Sequence, residues 1–165
     1  MTQTGTVNYH VHKPFRQAFE IDVDGIIGNL IEPEFSSVQI ALLDQRNGEA
    51  ATEFAEDGFA FASCPTGISD FKGGNWQSQY DAEMADLLMQ EVGAKEVITF
   101  DHTVRIDDPQ AKRRPARHVH SDYSRDGAEK RLVDILGPEK ADEWAQDHYA
   151  FINVWRPIAN PINSA

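Results

Sequence analysis

The residues from Arg117 to Tyr123, Arg-His-Val-His-Ser-Asp-Tyr, are the ones whose types and spacing could do chemistry. Side chains alternate along a strand, so on an extended backbone His118, His120 and Asp122 share one face. His120-x-Asp122 then offers an imidazole nitrogen and a carboxylate oxygen from adjacent same-face positions. Those are two of the three ligands of a 2-His-1-carboxylate facial triad, the usual cradle for catalytic non-haem Fe(II). Three protein ligands leave coordination positions open for substrate and oxygen. The triplet by itself is not specific: a surface strand with a His–Asp hydrogen bond satisfies the same spacing. A third arrangement has His118 and His120 ligating together.

Other residues offer weaker signals than this pair. His10-Val11-His12 has ligand spacing on a strand-like segment, but a surface or loop role fits it better. Arg105 could pair with a carboxylate of substrate or co-substrate, or form a structural salt bridge with one of the many acids. Asn153 and Trp155 share a face with Phe151, which could line a pocket or only pack under the last helix, while Arg156 faces the opposite side. Lys112, Arg113, Arg114 and Arg117 form a basic cluster, which reads as a solvated loop or as a lure for an anionic substrate. Cys64 has no identifiable histidine partner and reads as a packed or half-exposed residue. Trp76 and Trp144 read as core.

These side chains need elements to position them. Val7, Tyr9 and Val11 alternate with polar residues, as do Val38, Ile40 and Leu42, so two strands are expected there. Asn75 is a plausible N-cap. Tyr80, Met84, Leu87 and Leu88 then trace a helical stripe completed by Val92, with Gly93 as a natural stop. Glu96 to Ile106 reads as a strand, 107–117 as a polar loop, and Arg117 to Tyr123 as a strand. Asp126 and Glu129 make a capping-box-like start for a helix bearing Leu132, Ile135 and Leu136. Gly137-Pro138 ends that helix and begins another through Trp144. Tyr149 to Ile158 reads as a final strand. Short strands with about three helices, and no regular βαβ alternation, favour a mostly β, α+β sheet or barrel over a doubly wound fold.

Composition narrows the function classes. The 165 residues suit a single domain, 1–165, with 41% hydrophobic and 25% charged residues. A net charge of −12 disfavours nucleic acid and anionic membrane as partners. One cysteine allows no internal disulfide, no apolar run approaches a membrane span, and the polar N-terminus lacks a signal-peptide core. The expectation is a soluble, acidic, intracellular protein of the cytoplasm.

Several longer phrases carry a resemblance. Gly93-Ala94-Lys95 leads into Phe100-Asp101-His102-Thr103-Val104-Arg105. Val119 to Ser124 reads VHSDYS, Gly127 to Leu132 reads GAEKRL, and Ile152 to Ile158 reads INVWRPI. Upstream stand Asn8-Tyr9, the run from Gly58 to Phe71, and Tyr80 with Glu83. Together these resemble the AsaB/CmcJ-like hydroxylase/desaturase family, which includes gibberellin-desaturase-like proteins, over nearly the whole chain. The resemblance implies an oxygenase that depends on Fe(II) and 2-oxoglutarate, built as a double-stranded β-helix, a jelly-roll or cupin-like barrel. It implies His120 and Asp122 as iron ligands, with Arg105, Asn153 and Arg156 as the candidates for holding the co-substrate. It implies hydroxylation or desaturation of a small organic molecule, by the family's pattern a hydrophobic secondary metabolite.

Family members continue past the NVWRPI phrase into a segment that carries the distal histidine ligand and a basic co-substrate anchor. This chain has no histidine beyond His148, so no residue here takes the third ligand's role. The expectation is therefore a partial barrel: a fragment or truncated form, with weak metal binding and a sheet edge open to pairing as a homo-oligomer. The alternatives are a non-catalytic binding remnant, or a cupin-like metal enzyme using His118 and His120.

Overall fold

The computed structural model of the chain describes residues 3–15, 34–43, 52–106, 108, 110, 116 and 118–158. The described residues are mixed α+β: β1 (Gln3–His10), β2 (Phe35–Leu42), α1 (Phe54–Asp57), α2 (Trp76–Val92), α3 (Arg125–Leu136) and α4 (Pro138–Ala145). They divide into two compact units. The first is Met1–Leu43 with Thr103–Asp122, and the second is Asp44–His102 with Tyr123–Ala165.

In the first unit β1 and β2 pair antiparallel, Gln3 opposite Leu42 and His10 opposite Phe35. That register sorts the side chains by face. Gly5, Val7, Tyr9, Val38, Ile40 and Leu42 fall on one face; Thr4, Thr6, Asn8, His10, Phe35, Ser37 and Gln39 fall on the other. Gly5 makes room for its diagonal neighbour: a Cβ there would meet Leu42 Cδ1 at 3.1 Å. On the polar face the Ser37 hydroxyl donates to Asn8 Oδ1 at 2.7 Å, and the Gln39 amide donates to Thr6 Oγ1 at 2.5 Å. Past the strand, Val11 N–H donates to the Glu34 carbonyl at 2.9 Å, and Lys13 pairs with Glu34. The 118–122 segment approaches β1 through Val119 N–H, which donates to the Asn8 carbonyl at 2.8 Å.

In the second unit α2 begins after Asn75 and ends at Gly93, which adopts the left-handed φ of 68° that halts a helix with little strain in glycine. Met84 is its buried residue. α3 and α4 meet at Gly137, which flanks both, and Pro138 opens α4 where its missing N–H costs nothing. Leu132 and Ala141 are their buried residues. Segments 93–100 and 147–151 are fastened onto this pair. Lys95 bridges to Asp147 at 2.9 Å, and Lys140 to Glu96 at 2.6 Å. The guanidinium of Arg131 lies 5.1 Å over Phe100, and Phe100, Tyr123 and Tyr149 gather round Phe151.

The expected β1, β2, α2 and α4 are present. Glu96 to Ile106 and Tyr149 to Ile158 form neither helix nor sheet strand among the described residues, and 118–123 is likewise no strand, although Val119 N–H bonds to β1. Aromatic and β-branched content reports a residue's fit to a half-buried surface rather than the presence of a hydrogen-bonded neighbour. Here Phe100 and Phe151 spend that character on each other. The start of α3 also differs. Ser124, not Asp126, is the N-cap, its Oγ accepting from Gly127 N–H at 3.1 Å. α1 was not foreseen, because four residues display no helical period. The basic loop residues Lys112, Arg113, Arg114 and Arg117 lie outside the described residues.

Candidate functional site

In the first unit, β1 ends at His10 and β2 begins at Phe35, and cross-strand pairing sets their rings 5.0 Å apart on the polar face. His118 stacks on Phe35 at 5.3 Å and meets His10 edge-on at 4.8 Å. His120 follows, its ring 5.1 Å from that of His118. Burial holds the His118 pKa below the usual histidine range, and the neighbouring His10 and His120 add to that. His118 thus belongs to a packed aromatic stack.

The next two residues form the donor pair. His120 Nε2 and Asp122 Oδ1 lie 3.3 Å apart, with side chains 40% and 44% exposed. His120 Nδ1 is 3.0 Å from the His118 carbonyl oxygen. A carbonyl only accepts, so Nδ1 carries the hydrogen. In the neutral ring Nε2 then presents a lone pair toward a carboxylate oxygen, which is favourable only with a proton or a cation between them. Two atoms bound to one first-row divalent ion at about 2.1 Å, in neighbouring positions, lie about 3 Å apart. The donor set of one imidazole nitrogen and one carboxylate oxygen, with the other ring nitrogen fixed by a carbonyl, fits such an ion. Among the described residues no group of three or more His, Cys, Asp or Glu is arranged to hold a metal.

The second unit holds a separate cluster on the N-terminal half of α2. His102 Nε2 bonds Asp81 Oδ1 at 2.7 Å, and Trp76 stands edge-on to the His102 ring at 5.2 Å. Tyr80 and Phe71 complete the group. Arg156 lies 5.6 Å over the Tyr80 ring. One turn on, Glu83 accepts from the Thr66 hydroxyl at 2.6 Å and from Gly67 N–H at 3.0 Å. These bonds, with Gln79 and the Arg156 charge, hold the Glu83 carboxyl below the usual range.

The predicted residues are therefore distributed as follows. His120 and Asp122 come together, with His118 beside them. Arg105 is exposed and belongs to the same unit; Asn153 and Arg156 belong to the other. Sequence reasoning missed the association of His10 and Phe35 with His118, which depends on a strand register that local pattern does not encode. It also missed the Asp81–His102 bond, a contact across 21 residues. His12 and Cys64 join none of the clusters described above.

Comparison with known proteins gives these features a family. The chain is 26% identical over 161 residues to the hydroxylase/desaturase CTB9 of Cercospora beticola, covering 87% of this chain and 49% of that protein. It is 25% identical to the hydroxylase/desaturase efuI of Hormonema carpetanum, covering 76% and 48%. It is 24% identical to the alpha-ketoglutarate-dependent dioxygenase phiK of a fungal species, covering 90% and 59%. The chain thus spans about half the length of the curated relatives it matches. No solved structure matches it. Among the described residues no helix is long and apolar enough to cross a membrane. The resemblance to fungal hydroxylase/desaturases holds, and the family model described as "Oxidoreductase/YMDC permease-like domain" matches residues 7–165, so the chain belongs to that family.

Proposed function

We infer that this chain is the metal-ligating portion of a non-haem Fe(II)/2-oxoglutarate-dependent oxygenase that hydroxylates or desaturates a small organic molecule. The observation that carries the reading is the 3.3 Å approach of His120 Nε2 to Asp122 Oδ1, with Nδ1 turned to the His118 carbonyl. The printed name of phiK, an alpha-ketoglutarate-dependent dioxygenase, supports the cofactor assignment, and the hydroxylase/desaturase names support the reaction class. In this reading the parent fold is a double-stranded β-helix, of which this chain supplies part, and the protein works in the cytoplasm without nucleic acid or membrane.

His120 and Asp122 hold the ion. The His118 carbonyl fixes the tautomer that leaves Nε2 free to ligate. With 2-oxoglutarate and oxygen, the iron supplies the oxidation of an unactivated C–H bond. Of the residues the resemblance offers for the co-substrate, Arg105 belongs to the same unit as His120 and Asp122; Asn153 and Arg156 belong to the other, where the Arg156 guanidinium rests over Tyr80. With two donors from this chain, the remaining positions fall to water or to sequence that the longer relatives carry.

Anaerobic titration of Fe(II), or of Mn(II) as a surrogate, tests this reading. Weak binding is expected, lost in His120→Ala and in Asp122→Ala. Equal affinity in wild type and His120→Ala would overturn it.

A further inference from the structure

The polar face of the β1–β2 sheet is chemically unusual for a surface. A quarter of the chain's residues are charged, yet the sixteen residues of β1 and β2 contain no Asp, Glu, Lys or Arg. An ordinary solvated face carries alternating charges. This one carries hydroxyls and amides, already joined in cross-strand pairs: Ser37 to Asn8 at 2.7 Å and Gln39 to Thr6 at 2.5 Å. Such pairing fixes the rotamers of all four groups. The row continues past these four residues. On the same face it runs into His10 and Phe35, whose rings pack on His118, and from there to His120 and Asp122. The backbone bond from Val119 to Asn8 ties the two parts together.

We propose that Thr6, Asn8, Ser37 and Gln39 form the floor that orients a neutral, oxygen-bearing substrate against the His120–Asp122 pair. This rests on the oxygenase reading above and adds the substrate class to it. Hydroxyls and side-chain amides both donate and accept, so they match alcohols, phenols and ketones. They carry no charge to pair with that of a carboxylate or an amine, so an ionic ligand finds no counter-charge on this face. The mutually bonded pairs hold their donors and acceptors at fixed places, so they select among isomers by where the ligand's oxygens lie.

The test uses the full chain, ¹⁵N-labelled, with Zn(II) as a diamagnetic metal probe. Three ligands of similar shape are compared: 1,3-dihydroxybenzene, benzoate and toluene. The side-chain NH₂ resonances of Asn8 and Gln39 are followed. The expected result is that 1,3-dihydroxybenzene shifts both and the other two do not. Ser37→Ala and Thr6→Val should each weaken that response about three- to tenfold, as for loss of one neutral hydrogen bond. Thr6→Ser should restore it. Zn(II) affinity should be unchanged in these variants, which separates this inference from the metal reading. If benzoate or toluene moves the amide signals and the dihydroxybenzene does not, the proposal is wrong. It is equally wrong if the response survives both substitutions. Should Zn(II) fail to bind wild type while the amide responses hold, the metal reading falls and the floor stands.

Discussion

At the scale of single residues, His120 is where a proton's location decides what the side chain can do. The His118 carbonyl accepts the Nδ1 hydrogen, so the neutral ring should populate the Nδ1–H tautomer, visible in ring ¹⁵N shifts. Adding Zn(II) should then move Nε2 selectively. Dominance of the Nε2–H tautomer would contradict the geometry. The sequence made this pair legible because both donors lie on one short segment and their spacing is local. It did not make legible what surrounds them. His10 and Phe35 reach His118 only because β1 and β2 pair with one register, and that is fixed by contacts between residues about 30 positions apart. For the same reason Asp81 was invisible as the partner of His102.

At the scale of elements, helices were easier to read than strands. α2 and α4 carry their own signals: a cap, an apolar stripe, a glycine or a proline. The 96–106 and 149–158 segments have strand-like composition, but a strand also needs a neighbour, and composition cannot supply one. Met84 is the buried residue of α2, at 4% exposure. Met84→Ala should cost about 2–5 kcal/mol in denaturant unfolding of the second unit. Ser124→Ala removes the one side-chain cap bond of α3 and should cost about 1 kcal/mol. Glu83 ties the 66–67 loop to α2, and its carboxyl titrates below its usual value of 4.5. A lowered carboxylate pKa stabilises the fold above the unfolded value, and the effect is lost as pH falls through the folded one. Stability of wild type should therefore drop more steeply below about pH 4.5 than that of Glu83→Gln. Parallel acid-melting curves for the two would refute this.

At the scale of the molecule, many large apolar side chains remain exposed among the described residues, including Phe59, Phe61 and Trp155, and Val38 and Leu42 on the sheet. Against a net charge of −12, which opposes self-association, the uncharged sheet is the surface where copies could meet. Sedimentation velocity should show concentration-dependent association that Val38→Lys abolishes; unchanged association in that variant would place the contact elsewhere. The pairing of β1 with β2 has one more consequence, for how the gene tolerates indels. Alternation along β1 assigns each residue its side by parity alone. Delete one residue between Gly5 and Asn8, and every side chain upstream of the cut changes sides relative to those below it. Leu42 would lose its notch, or His10 its stack, according to which half of the strand kept its place. Deleting two residues preserves parity and shortens the row of hydroxyls and amides by one rung. Length variation in β1 should therefore come in even steps, and a library of in-frame codon deletions across 3–10 would expose that two-beat rule directly in the yield of folded protein.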